Sequence, residues 1–194
     1  MRKIVLASAS PRRKELLENL GLKFSVAVSD ADETVVSKEL EPGLYVRELA
    51  LIKAVSVAKI CPKNTFVIGA DTVVVHDGQI LGKPANREEA YNMLRTLSGG
   101  EHYVYTGISV VDTDSMHTVS EYEKTTVVMR ELTDREINFY IDNFNVMDKA
   151  GAYGIQEYAS SFVSGIHGDY FNIVGLPVCR LCTLVSKEFG EDLV

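Results

Sequence analysis

Apolar and polar positions alternate along this chain in a way that switches repeatedly between strand and helix periods. Ile4 to Ala7 is a short apolar run and reads as a strand. Ser10 and Pro11 follow as an N-cap and a first helical residue. Leu16, Leu17 and Leu20 then fall on one helical face, and Gly21 ends the segment. Phe24 to Val28 reads as a strand, Asp30 to Glu33 as an acidic loop, and Gly43 to Ile60 as a helix. Val46, Leu49, Ala50, Ala54, Val57 and Ala58 give that helix its apolar stripe. Thr65 to Ala70 is a buried-type strand that stops at Asp71, and Thr72 to Val75 resumes it. Asp77-Gly78 marks a hairpin, with Gln79 to Leu81 as the return strand.

The second half continues the mixture. Asn86 caps a helix, with Glu89 placed for a capping-box pairing and Ser98-Gly99-Gly100 at its end. Two long strands, Tyr103 to Val111 and His117 to Arg130, lead to the Thr133–Glu136 capping box and a helix with Ile137, Tyr140, Ile141 and Phe144 turned inward. A strand near Phe162, a loop from Gly165 to Asn172 and a final helix from Gly175 to Phe189 complete the chain. The pattern predicts an α/β fold with a mixed, twisted β-sheet flanked by helices. No repeat or linker is evident, and the chain reads as a single domain, 1–194.

Composition narrows the function. A formal net charge of −7 over 194 residues argues against a nonspecific nucleic-acid or acidic-membrane binder, while leaving room for a small anionic ligand held by a local cation cluster. The short apolar start is no signal peptide, and no stretch is long enough to span a bilayer. A soluble, cytoplasmic protein is the expectation. The three cysteines, Cys61, Cys179 and Cys182, make no metal or disulfide framework. The Cys179–Cys182 pair lies in an apolar segment and reads as two buried thiols. The four histidines lack metal-ligand spacing and read as structural or surface residues.

The candidate chemistry begins at the first helix. Arg12, Arg13 and Lys14 crowd its first turn, where the helix dipole disfavours cations by a few tenths to about 1 kcal/mol each. An anion at that end would resolve the conflict, and the small residues Ala7-Ser8-Ala9-Ser10 let one approach the backbone. Asp71, beside Gly69 and Ala70, could hold a divalent cation or accept a proton from water; a turn Asp bonding its own backbone is the alternative. Lys83, between Gly82 and Pro84, should return near Asp71 through the hairpin, as an ion pair or a phosphate clamp. Lys53 interrupts an apolar stripe and either snorkels to solvent or enters a cleft. Glu33 is a candidate second oxygen ligand for a metal, or plain surface acidity. There is no P-loop, dinucleotide-binding or Ser-hydrolase motif.

Taken together, LASASPRRKELL, GADTVV, GKP, LSGG, DKAGAYGIQ and NIVGLP resemble, in order, the Maf family of nucleoside triphosphate pyrophosphatases, also called septum formation inhibitor-like proteins. The resemblance implies two lobes around a central cleft and hydrolysis of a nucleoside triphosphate to monophosphate and pyrophosphate with a divalent cation, Mg²⁺ or Mn²⁺. It makes Asp71 the proton acceptor and places Ser8 and Arg13 on phosphate. Lys53 and Lys83 would neutralise the triphosphate, and Glu33 would join Asp71 near the metal. Arg12, Thr72 and Gln156 look like the branch acting on dTTP and UTP, where the Gln156 amide would offer a donor and an acceptor to a pyrimidine edge. A homodimer fits the family. A non-catalytic nucleotide-binding regulator of cell division is the alternative reading; RNA binding through the Arg-rich helix start is disfavoured by the acidic net charge.

Overall fold

The computed structural model describes residues 2–193. Seven strands form one mixed sheet: β1 (Lys3–Leu6), β2 (Phe24–Val26), β3 (Thr65–His76), β4 (Gln79–Leu81), β5 (Glu101–Asp112), β6 (Thr118–Met129) and β7 (Val163–His167). Their order is β2-β1-β3-β5-β6-β7, with β4 also on β3. The helices are α1 (Pro11–Asn19), α2 (Pro42–Ala58), α3 (Arg87–Leu97), α4 (Asp134–Asn143), α5 (Tyr170–Val174) and α6 (Val178–Phe189). The chain forms two compact units. The first comprises Met1–Asp71, Thr106–Glu123 and Gly175–Val194; the second comprises Thr72–Tyr105 and Lys124–Val174.

In the first unit, β1 lies between β2 and β3 and pairs parallel with both, so β1–α1–β2 is a crossover of the α/β kind. β3 is buried along most of its length, which explains its unbroken Thr65–Ala70 run. Ala54, Val57 and Ala58 of α2 pack with Val5, Ala7, Val67 and Val111 in one apolar cluster. Two glycines set how close α2 comes. A Cβ on Gly69 would collide with the Ala50 carbonyl, and one on Gly107 with the Val46 carbonyl. The helix backbone therefore rests almost directly on β3 and β5.

The second unit holds the hairpin and the capped helices. Asp77 and Gly78 both have positive φ, 47° and 76°, as a tight hairpin turn requires, and Val74 pairs with Leu81. The Asn86 side chain accepts from Glu89 N at 2.9 Å, but the Glu89 carboxylate takes Ala85 N rather than Asn86 N, so the box there is incomplete. The Thr133–Glu136 box is complete.

Four further expectations need correction. β3 runs through Asp71 without a break, because the strand changes partner rather than stopping: its last residue paired to β1 is Ile68 and its first paired to β4 is Val74. The 165–172 stretch is not all loop, since β7 reaches His167 and α5 starts at Tyr170. Cys179 is exposed and Cys182 half-buried, because α6 turns them off the face that buries Leu181, Leu184 and Val185. The final helix begins at Val178, since Gly175 to Pro177 form the turn before it.

Candidate functional site

The first unit holds six of the sequence-predicted residues, Ser8, Arg12, Arg13, Glu33, Lys53 and Asp71. Ser8 follows β1 and is buried. Ser10 caps α1 by accepting from Arg13 N, and the Ser10 N–H donates to Ser8 Oγ at 3.2 Å. Arg13 folds back over the helix start: Nη1 donates to Ser8 Oγ at 3.2 Å and Nε to the Gly175 carbonyl at 2.7 Å. The Gly-Leu-Pro turn before α6 thus has a local task, holding this guanidinium. Burial pulls the Arg13 pKa below the ordinary value; Asp71 opposes that shift, Arg12 adds to it and Glu33 opposes it. An Arg stays charged regardless. Ser8 Oγ accepts in both of these bonds, so neither uses its own proton.

Lys53 decides the carboxylate half. It points inward rather than snorkelling: Nζ donates to Asp71 Oδ1 at 2.5 Å and lies 3.0 Å from Glu33 Oε1. Lys53 and Asp71 side chains are only 14% and 16% exposed, so solvent screens this pair weakly. The geometry follows from Gly69. With no side chain there, Ala50 sits on β3, and Lys53, one turn further along α2, arrives over Asp71, two residues further along β3. Glu33 arrives by another route. Asp32 caps the 3₁₀ turn Glu33–Val35 by accepting from Thr34 N at 2.9 Å. Upstream, a hydroxyl chain ties this loop to α2. Ala31 N donates to Ser29 Oγ at 3.1 Å, Ser29 and Ser56 hydroxyls meet at 2.7 Å, and Ser56 Oγ donates to the Lys53 carbonyl at 3.1 Å.

Sequence reasoning missed Tyr45. It is buried on α2, eight residues before Lys53 and so on the same helical face. Burial raises its phenol pKa; the negative charges of Asp71 and Glu33 add to the shift and Lys53 opposes it. The hydroxyl therefore stays protonated, a neutral donor among charges. The i, i+8 spacing was the available signal.

The second unit carries the remaining candidates. Thr72 is half-buried on β3, Lys83 is exposed just after β4, and Gln156 is half-buried at the N-cap of a 3₁₀ turn, Glu157–Phe162, without a side-chain cap bond. Gly82 and Gly151 join the Lys83 and Gln156 segments, the Gly151 N–H donating to the Gly82 carbonyl at 3.0 Å. Among the described residues, no group of three or more His, Cys, Asp or Glu forms a metal cluster, and no helix is long and apolar enough to cross a membrane.

Fold and site together define an α/β protein with a hydroxyl–guanidinium pair at the start of α1 and a lysine between two carboxylates on α2, β3 and the acidic loop, an arrangement suited to anions and to proton transfer. A family model described as Maf-like protein matches residues 3–188, and the chain belongs to that family. It is 52% identical over 192 residues to the dTTP/UTP pyrophosphatase of Caldanaerobacter subterraneus subsp. tengcongensis, covering 99% of this chain and 92% of that one. It is 50% identical over 194 residues to the dTTP/UTP pyrophosphatase of Alkaliphilus metalliredigens, covering all of both chains. Among solved structures, the Staphylococcus aureus Ham1 protein matches 66% of this chain and 72% of its own, at 17% identity and a TM-score of 0.45.

Proposed function

We propose that this protein is a nucleoside triphosphate pyrophosphatase that hydrolyses dTTP and UTP to the monophosphate and pyrophosphate. The observation that carries the reading is the Lys53 ammonium held between Asp71 and Glu33, in the same unit as the Arg13–Ser8 pair at the start of α1. Full-length identity of about half to dTTP/UTP pyrophosphatases supports the substrate.

In this reading Arg13, the Ser8 hydroxyl and the N-terminal amides of α1 bind the polyphosphate. Arg12 adds charge at the same helix end. Water attacks the α-phosphorus: its oxygen forms the new P–O bond, and its proton passes to the Asp71 carboxylate. The bond from the α-phosphorus to the bridging oxygen breaks, and pyrophosphate leaves with that oxygen. Lys53 and Lys83 offset the charge that accumulates on the leaving group. Thr72 and Gln156 belong to the nucleotide-recognising set through the family pattern.

The residues fit a divalent cation. Asp71 and Glu33 are two carboxylates drawn together by one ammonium, the number a Mg²⁺-type ion takes from a protein when phosphate oxygens and waters complete its shell. When bound, Mg²⁺ or Mn²⁺ would supply charge neutralisation and polarise phosphoryl oxygens.

A panel of dTTP, UTP, CTP and GTP, with and without Mg²⁺ or Mn²⁺, tests the reading by pyrophosphate release. Metal-stimulated release that favours dTTP and UTP is expected. Orthophosphate in place of pyrophosphate would overturn the bond assignment, and binding without turnover would return the non-catalytic regulator.

A further inference from the structure

The segment from Gly151 to Glu157 is held in a backbone that its sequence resists. Gly151, Ala152 and Glu157 all have positive φ, at 67°, 62° and 60°. For a residue with a Cβ, the left-handed region costs about 1–2 kcal/mol, so Ala152 and Glu157 persist there only if their surroundings hold them. Three anchors from separate parts of the chain do so. Gly151 N–H reaches the Gly82 carbonyl, and Gly154 N–H donates to the Tyr140 hydroxyl oxygen of α4 at 3.2 Å. The third is buried: Tyr153 Oη and His102 Nε2, from the start of β5, lie 2.6 Å apart, with the two rings edge-on at 5.4 Å.

The chemistry of this last pair fixes its direction. His102 Nδ1 is buried with no hydrogen-bond partner. If Nε2–H donated to the tyrosine, both the Nδ1 lone pair and the phenolic proton would be left unmet. If Tyr153 donates to Nε2, only the Nδ1–H is unmet, and that arrangement is favoured. A buried imidazole whose other nitrogen has no partner is thus dedicated to one tyrosine hydroxyl. Neither residue takes part in the phosphate chemistry. Tyr153 stands three residues before Gln156, and Gly82, the partner of Gly151, stands next to Lys83.

We propose that His102 and Tyr153 are a positioning pair for nucleobase selection: their hydrogen bond locks the Gly151–Glu157 segment so that the Gln156 amide is presented to a pyrimidine edge. The proposal rests on the pyrophosphatase reading above. It assigns a role to a histidine whose spacing points to no chemistry.

Tyr153→Phe removes the hydroxyl and keeps the ring. The expected result is a rise of about tenfold in KM for dTTP and UTP, the worth of one buried hydrogen bond, with a smaller fall in kcat. The kcat/KM preference for UTP over CTP should shrink by a similar factor. His102→Leu should match it, and the double variant should be no worse than either single one. His102→Gln, which restores an acceptor, should recover part of the preference and remains informative if Tyr153→Phe folds poorly. An unchanged UTP-to-CTP ratio alongside a lowered melting temperature would overturn the pair as a selector and leave it purely structural. Wild-type protein that releases no pyrophosphate from either pyrimidine nucleotide would overturn the underlying reading instead, and the pair with it.

Discussion

The two units hold their candidate groups by opposite means. In the first, the groups held are charged: Lys53 spans Asp71 and Glu33, and the Arg13 guanidinium is pinned by a hydroxyl and a carbonyl. In the second, neutral groups hold a strained loop: Tyr153 on a buried imidazole, Gly154 on a phenol, Gly151 on a carbonyl. Electrostatics of the first kind suits a reacting centre, where charge must be met as it develops. Neutral hydrogen bonds in a buried setting suit shape and selection, because leaving one unmet there is costly. Substitutions in the Lys53–Asp71–Glu33 cluster should therefore act on turnover, and those around Tyr153 and His102 on discrimination and on acid stability.

The sharpest way to break that contrast is Asp71→Asn. It removes the proton acceptor while keeping an oxygen for Lys53, so kcat should fall by about a thousandfold with the fold intact by circular dichroism. Pyrophosphate release at the wild-type rate would take the reaction away from the first unit.

Gly69→Ala comes next. The added methyl meets the Ala50 carbonyl, so α2 must lift from β3. A loss of about 1–3 kcal/mol in stability and of about a hundredfold in kcat, the scale of a 1 Å displacement, is expected by thermal melting and steady-state kinetics. Full activity would mean that the Lys53–Asp71 distance is not set by this contact.

The second unit has its own test in pH. Burial, reinforced by His76, pushes the His102 imidazole down to about 4 from 6.5. The unfolded chain therefore takes up a proton first as the pH falls. Stability present above pH 6.5 is lost progressively towards pH 4, by an amount on the order of 3 kcal/mol. Urea unfolding of His102→Gln should show a flatter profile over that window. An identical slope would assign the acid sensitivity to other groups.

Ser56→Ala is the smallest and most local. It cuts the hydroxyl chain from the acidic loop to α2, and KM should rise about threefold, with thermal stability lowered by under about 1 kcal/mol. Ser56→Thr should restore the wild-type KM, since a threonine hydroxyl can take both bonds.

Much of the local structure was readable in advance. Ser10 with Pro11, Asp77 with Gly78, and Thr133 with Glu136 each act over four residues or fewer, and each appears where its spacing places it. Periodicity failed where the partner mattered more than the residue. Asp71 resembled a strand end because it breaks an apolar run, yet β3 continues through it by exchanging one neighbour for another. The spacing of Cys179 and Cys182 in an apolar segment said nothing about which side of α6 would be covered.

The candidate site divides along the same line. Residue type and neighbourhood marked Arg13, Asp71 and Lys83 as chemistry, and the ordered set of motifs marked the family and, through it, Lys53. The direction of Lys53 was left open between solvent and interior. It was settled by a glycine nineteen positions from Ala50, whose missing side chain lets a helix lie against a strand. His102 looked inert because its partner, Tyr153, stands 51 residues away. Caps, turns and amphipathic faces arise from interactions within a turn or two of chain, so the order of residues encodes them directly. Which carboxylate a lysine meets, and which tyrosine a buried histidine serves, depend on how close two distant backbones can pack, and no local pattern carries that distance.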